Sequence, residues 1–138
     1  MGQDMNNHYV EHLRGEKRAG IVFFKSTMVQ TLADFYVRKL GCELWLVQPG
    51  VIILRFGSML FGFTQSSRPQ LEALISFNLE SRAAVDLGYE VMKETALAPP
   101  QVTEQWGIYH FFAKDPEGRM IEFQCFDKPI EWNMTPDG

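Results

Sequence analysis

Two stretches of this chain, about 20–65 and 72–126, read as the same succession of elements. In the first, the β-rich run Ile21-Val22-Phe23-Phe24-Lys25 leads to Ser26 or Thr27, either of which can cap a helix. Val29, Leu32, Phe35, Tyr36, Lys39 and Leu40 then recur at helical spacing, and Gly41 supplies a C′ glycine. Three short strands follow, Glu43–Gln48, Val51–Phe56 and Met59–Gln65, separated by the turn dipeptides Pro49-Gly50 and Gly57-Ser58. After the polar link Ser66–Gln70 the pattern restarts. Ala73–Glu80 alternates as a strand, and Ser81 opens a helix running to Ala96, weakened by Gly88. Pro99-Pro100 breaks the chain, Val102–Gln105 reads as a short strand, and Ile108–Lys114 and Arg119–Phe126 are strands joined by Asp115-Pro116-Glu117-Gly118. The order is βαβββ, then βαβββ: an α+β fold. Neither half buries enough apolar surface alone. The repeat therefore predicts paired βαβββ modules forming an open curved mixed sheet, with a concave cleft floored by both halves.

Composition narrows the function. The chain has 138 residues, 46% hydrophobic and 22% charged, which suits a single folded domain over 19–127. The net charge of −4 opposes a polyphosphate partner, so no nucleic acid is expected. The apolar run Val51–Leu54 stops at Arg55, far short of the roughly 18–20 residues of a membrane span. Residues 1–18 are polar and lack an apolar signal core. They read as an N-terminal helical arm ending at Gly15, or as a tail, and 128–138 as a C-terminal tail. The isolated thiols Cys42 and Cys125, with no export signal, point to the cytoplasm.

Two segments carry a family resemblance. Thr31-Leu32-Ala33-Asp34-Phe35-Tyr36-Val37-Arg38-Lys39-Leu40-Gly41 ends in an "FY…LG" pattern. Phe112-Ala113-Lys114-Asp115-Pro116-Glu117-Gly118-Arg119-Met120-Ile121-Glu122-Phe123 is similar to an "F..DPEGN.IEF" hairpin. On these motifs and the element order, the chain resembles the vicinal oxygen chelate superfamily: glyoxalase I, extradiol dioxygenases, and bleomycin- and fosfomycin-resistance proteins. The resemblance implies that metal-using members hold a divalent ion with His or Glu from the first, fourth, fifth and eighth strands. Counted from the motifs, those positions here are Ile21, Gly62, Leu74 (where "HIAF" overlays Leu74-Ile75-Ser76-Phe77) and Glu122. One donor out of four cannot hold a divalent ion, which needs about three protein ligands. No metal and no other cofactor is expected.

Strand alternation places Glu122 with Met120 and Gln124, between apolar neighbours. A carboxylate there is costly in a dry core and useful in a cleft. His110 shares a face with Ile108 and Phe112, and a pair with Glu122 would suit acid/base chemistry. The commoner outcome for such a strand histidine is a half-exposed ring bonded to backbone. Phe24, Trp45, Phe61, Phe63 and Trp106 are candidate aromatic walls for a planar or cationic ligand, although most strand aromatics are core. Arg55 either pairs with Glu122 or reaches solvent, and Lys25 and Ser26 end the first strand at the same cleft. His8-Tyr9-Val10-Glu11-His12 matches the H-x-x-E-H zinc pattern but lies in the polar arm, where chance occurrence is the stronger reading. The expected function is metal-independent binding of a small aromatic or cationic molecule, which by itself could sequester a toxin. The alternatives are catalysis of lyase, isomerase or dioxygenase type, with Glu122 and His110 as acid/base or Glu122 on a noncanonical metal site, and a vestigial cleft. The edge strands of an open sheet, and the family's habit of dimerising, favour a homodimer.

Overall fold

The computed structural model describes residues 2–17 and 19–128. The polar arm forms helix α1 (Gly2–Gly15). The first module follows as β1 (Ile21–Ser26), α2 (Val29–Leu40), β2 (Glu43–Gln48), β3 (Val51–Phe56) and β4 (Met59–Gln65). The second is β5 (Leu74–Asn78), α3 (Arg82–Met92), β6 (Gln101–Thr103), β7 (Ile108–Lys114) and β8 (Met120–Phe126). Residues 129–138, read from sequence as a tail, lie outside the described residues.

Local signals act largely where the sequence puts them. Gly41 takes a left-handed φ of 73° and closes α2, its N–H donating to the Val37 carbonyl. Ser81 caps α3 by accepting the Ala84 N–H at 3.1 Å. Several element ends differ, β5 among them, which runs Leu74–Asn78 where the alternation reads Ala73–Glu80. The N-cap of α2 is Met28, with no side-chain cap, while Ser26 Oγ accepts the Met28 N–H at 2.9 Å from two residues earlier. Helix α3 stops at Met92, where the Thr95 and Ala96 N–H groups both donate to the Met92 carbonyl and tighten the chain into a turn. Strand β6 begins at Gln101 and ends at Thr103, because 104–107 form the turn into β7.

Each module builds its own four-stranded sheet, in the orders β1-β4-β3-β2 and β5-β8-β7-β6. In both, the first strand runs parallel to the fourth and the remaining pairs are antiparallel. The sheets meet through their helix-covered faces. Phe77 of β5 stacks on Phe123 at 5.5 Å, meets Phe56 edge-on at 4.8 Å, and lies 6.2 Å from both Tyr36 and Phe61. Leu32, Tyr36, Leu54, Phe61 and Phe63 thus share one core with Ile75, Val85, Phe111, Ile121 and Phe123. That joint burial is how two halves too small to fold alone become stable.

A polar clamp adds to the core. The hairpin 115–119 closes with the Gly118 N–H donating to the Asp115 carbonyl, and Gly118 sits at φ 96°. Fully buried Arg119 binds Asp115 at 2.9 Å and Glu117 at 3.1 Å, and donates to the Gln70 and Lys25 carbonyls. Its guanidinium lies 5.5 and 5.1 Å from the Phe24 and Phe63 ring centres. Tyr36 donates to Asp115 at 2.7 Å, and Thr27 donates to Glu117 through both its N–H and its hydroxyl. The hairpin of the second module is thereby fastened to α2, β1 and the link of the first. Burial, reinforced by Asp115, pushes the Tyr36 phenol far above its ordinary range.

Candidate functional site

The face of the second sheet away from α3 follows from register. Ser76 pairs with Glu122 and Asn78 with Gln124 across β5–β8, while Phe112 pairs with Glu122 and His110 with Gln124 across β7–β8. Paired residues share a face, so these side chains stand together opposite Ile75, Phe77, Ile121 and Phe123 of the core. They floor a cavity of about 370 Å³ lined by Leu74, Trp106, Ile108, His110, Phe112, Glu122, Gln124 and Phe126.

Glu122 and His110 are both buried, and His110 Nδ1 lies 2.6 Å from Glu122 Oε2. A carboxylate only accepts, so the imidazole donates here. The other ring nitrogen, Nε2, lies 2.8 Å from Thr103 Oγ1 on β6, and the Phe112 ring packs edge-on at 5.1 Å. Against the half-exposed, backbone-bonded ring that a strand histidine more commonly gives, His110 is buried between two side chains. Thr103 carried no signal, because its contact depends on β6 lying beside β7, which composition does not disclose.

The first-module candidates do not join this cavity. Phe61 and Phe63 face α2, pack around Tyr36 and are 1% and 0% exposed. Phe24 packs on Phe63 and Arg119. Expected as cleft walls, these three belong to the core side, because strand alternation assigns residues to a common face without saying which face the helix covers. Arg55 pairs with Glu43 on the exposed surface and not with Glu122. Ser26 is buried and bonded to backbone, and Lys25 is exposed. Trp45 stands 47% exposed on the edge strand β2, while Trp106 does line the cavity.

The implied divalent-metal site can be tested on donor chemistry. Gly62 lies on the uncovered face of the first sheet, and a Cβ there would meet the Phe23 ring at 2.9 Å and Ile53 at 3.2 Å. Phe23 therefore occupies the space above that position. Ile21 and Leu74 offer hydrocarbon, leaving Glu122 as the single donor, so these residues do not fit a divalent ion. No three His, Cys, Asp or Glu side chains converge among the described residues. On α1, His12 pairs with Glu16 at 3.1 Å.

No protein-family model and no curated protein sequence matches the chain. Solved structures do. A glyoxalase/bleomycin resistance protein/dioxygenase family enzyme from Burkholderia phytofirmans is similar with a TM-score of 0.68 at 19% identity, over 76% of this chain and 95% of that one. A lactoylglutathione lyase from Agrobacterium tumefaciens gives 0.65 at 17%, over 80% and 95%. A glyoxalase/bleomycin resistance protein/dioxygenase from Nocardioides gives 0.62 at 16%, over 95% and 99%. The chain has the glyoxalase/bleomycin resistance fold. No helix among the described residues is long and apolar enough to cross a membrane.

Proposed function

We propose that this protein binds a small planar organic molecule, aromatic or cationic, in the cavity beside Glu122, and does so without a divalent metal. One observation carries the reading: a buried carboxylate, held by His110, opens on a cavity whose other walls are mostly hydrocarbon and aromatic. Burying a carboxylate is expensive, and a ligand that donates to the oxygen His110 leaves free recovers part of that cost. Binding alone would serve sequestration or resistance. The test is a ligand screen by thermal shift on the full chain, repeated with Glu122→Ala. Ligands that stabilise both proteins equally would refute the role of Glu122. Stoichiometric nickel, zinc, manganese or iron in purified protein would refute the metal-free reading.

The His110–Glu122 contact also supports a second reading, acid/base catalysis of lyase or isomerase type. There, Glu122→Gln would keep ligand binding and abolish turnover.

The reading includes a homodimer in a reducing compartment such as the cytoplasm. Leu44, Trp45, Leu46 and Val47 are each 37–61% exposed on β2, an edge strand of the first sheet, which leaves an unpartnered apolar edge. A second copy would cover it. Sedimentation at micromolar concentration is expected to give a dimer, and Trp45→Glu a monomer. A wild-type monomer would refute the assembly.

A further inference from the structure

Resting on the cavity reading above, we propose that the site selects a planar ligand with a cationic N–H end, an amidinium or protonated aminoheterocycle, taken by Glu122 as Thr103 and His110 hold it, with Gln124 reading the ligand's far end. The argument is a count of hydrogen-bonding valences. His110 has none left for a ligand, since Nδ1 is taken by Glu122 and Nε2 by Thr103. The imidazole is a clamp, and Thr103 fixes it from behind. Glu122 Oε2 is taken by His110, whereas Oε1 carries no hydrogen bond to the described residues. Nor is Oε1 sealed away: the one fully enclosed side-chain N or O without a partner among the described residues is Ser76 Oγ, beside Glu122 in register. Oε1 therefore faces the cavity, and a free carboxylate oxygen accepts only from a donor.

Gln124 is the second polar group of the lining. It stands two residues along β8 on the same face, about 6–7 Å from Glu122 along the strand. Its carboxamide makes no hydrogen bond to the described residues, and so offers a donor and an acceptor to the far end of the ligand. Between these two points the walls are Leu74, Ile108, Phe112, Trp106 and Phe126, which suit a flat ring. Charge decides the sign. Around Glu122, β5 contributes Ser76 and Asn78, β6 Gln101 and Thr103, and β7 His110 and, at its far end, Lys114. Lys114 is exposed, and among the described residues no lysine or arginine pairs with Glu122. An anion would meet the carboxylate in low-dielectric surroundings, where repulsion is strong.

The test uses benzamidine, benzamide, benzoate, 4-hydroxybenzamidine and naphthalene, titrated into the labelled full chain and followed by NMR at Ile108, Glu122 and Phe126. Benzamidine is expected to bind at least about tenfold better than benzamide, with no binding of benzoate, and Glu122→Gln should erase that preference. Thr103→Val should weaken benzamidine by about tenfold and Thr103→Ser restore it, which a purely structural role in β6 would not produce. Gln124→Ala should weaken 4-hydroxybenzamidine and leave benzamidine unchanged. Benzoate binding as well as benzamidine, or an unchanged benzamidine affinity in Thr103→Val, would overturn the inference. If naphthalene alone binds, the cavity reading stands and this inference fails; if no probe moves those signals, both fail.

Discussion

Replacing Arg119 with methionine removes the cation shared by Asp115 and Glu117 in a region where the side chains are 0–3% exposed. Stripping one partner from a buried ion pair costs about 3–5 kcal/mol, because a charge is left without compensation. The structure places this case near the lower end. Asp115 would keep the Tyr36 hydroxyl and the Glu117 and residue-119 N–H groups, and Glu117 would keep both bonds from Thr27. The Gln70 and Lys25 carbonyls would lose their guanidinium donors, and the Phe24 and Phe63 rings their cation. A loss of about 3 kcal/mol follows, a drop in Tm of roughly 10 °C for a domain of this size. Arg55→Met is the internal control, since its pair with Glu43 is 46% and 63% exposed and is worth at most about 1 kcal/mol. Urea denaturation of both variants measures the difference, and Asp115→Asn in the Arg119→Met background should cost less than in the wild type. Equal losses for Arg119→Met and Arg55→Met would refute the idea that this hairpin clamps the two modules together.

Three further outcomes follow from the same geometry. Burial works to raise the Glu117 carboxyl, but hydrogen bonds from the Thr27 backbone, Ser26, Arg119 and the Thr27 hydroxyl outweigh it and hold the carboxyl below its ordinary 4.5. Its stabilisation is complete above that value and is lost as pH falls through the lower folded one, so Glu117→Gln should flatten the acid limb of urea stability below 4.5. Burial pushes the Cys42 thiol up to about 12, and both thiols are buried, so neither should react with a disulfide reagent at pH 8 until the protein is unfolded. Phe77→Ala should cost about 3–5 kcal/mol in denaturant unfolding, with both modules still melting in one transition, because the ring contacts residues of each. Two separated transitions in the wild type would contradict the shared core.

The chain's local grammar is enough to determine its element order. Gly41, Ser81 and the Asp115–Gly118 turn act through neighbours a few residues away, so helix ends and hairpins are visible in the letters. Alternation likewise puts Glu122, Gln124 and Met120 on one face of β8, and counting from motifs finds hydrocarbon at Ile21 and Leu74. What alternation leaves open is which face the helix covers. That choice belongs to tertiary packing, and it sends Phe61 and Phe63 to the core while Trp106 and Phe126 line the cavity. Alternation also makes a His110–Glu122 pair legible, since it gives each residue a face that could line one cleft. Thr103 is not legible in this way, since β6 reaches His110 only through strand register. The burial of Arg119 depends on contacts 49 and 94 residues away, at Gln70 and Lys25. Only the folded chain brings such groups within hydrogen-bonding distance, and only there does a basic residue in a turn become the bolt between two halves.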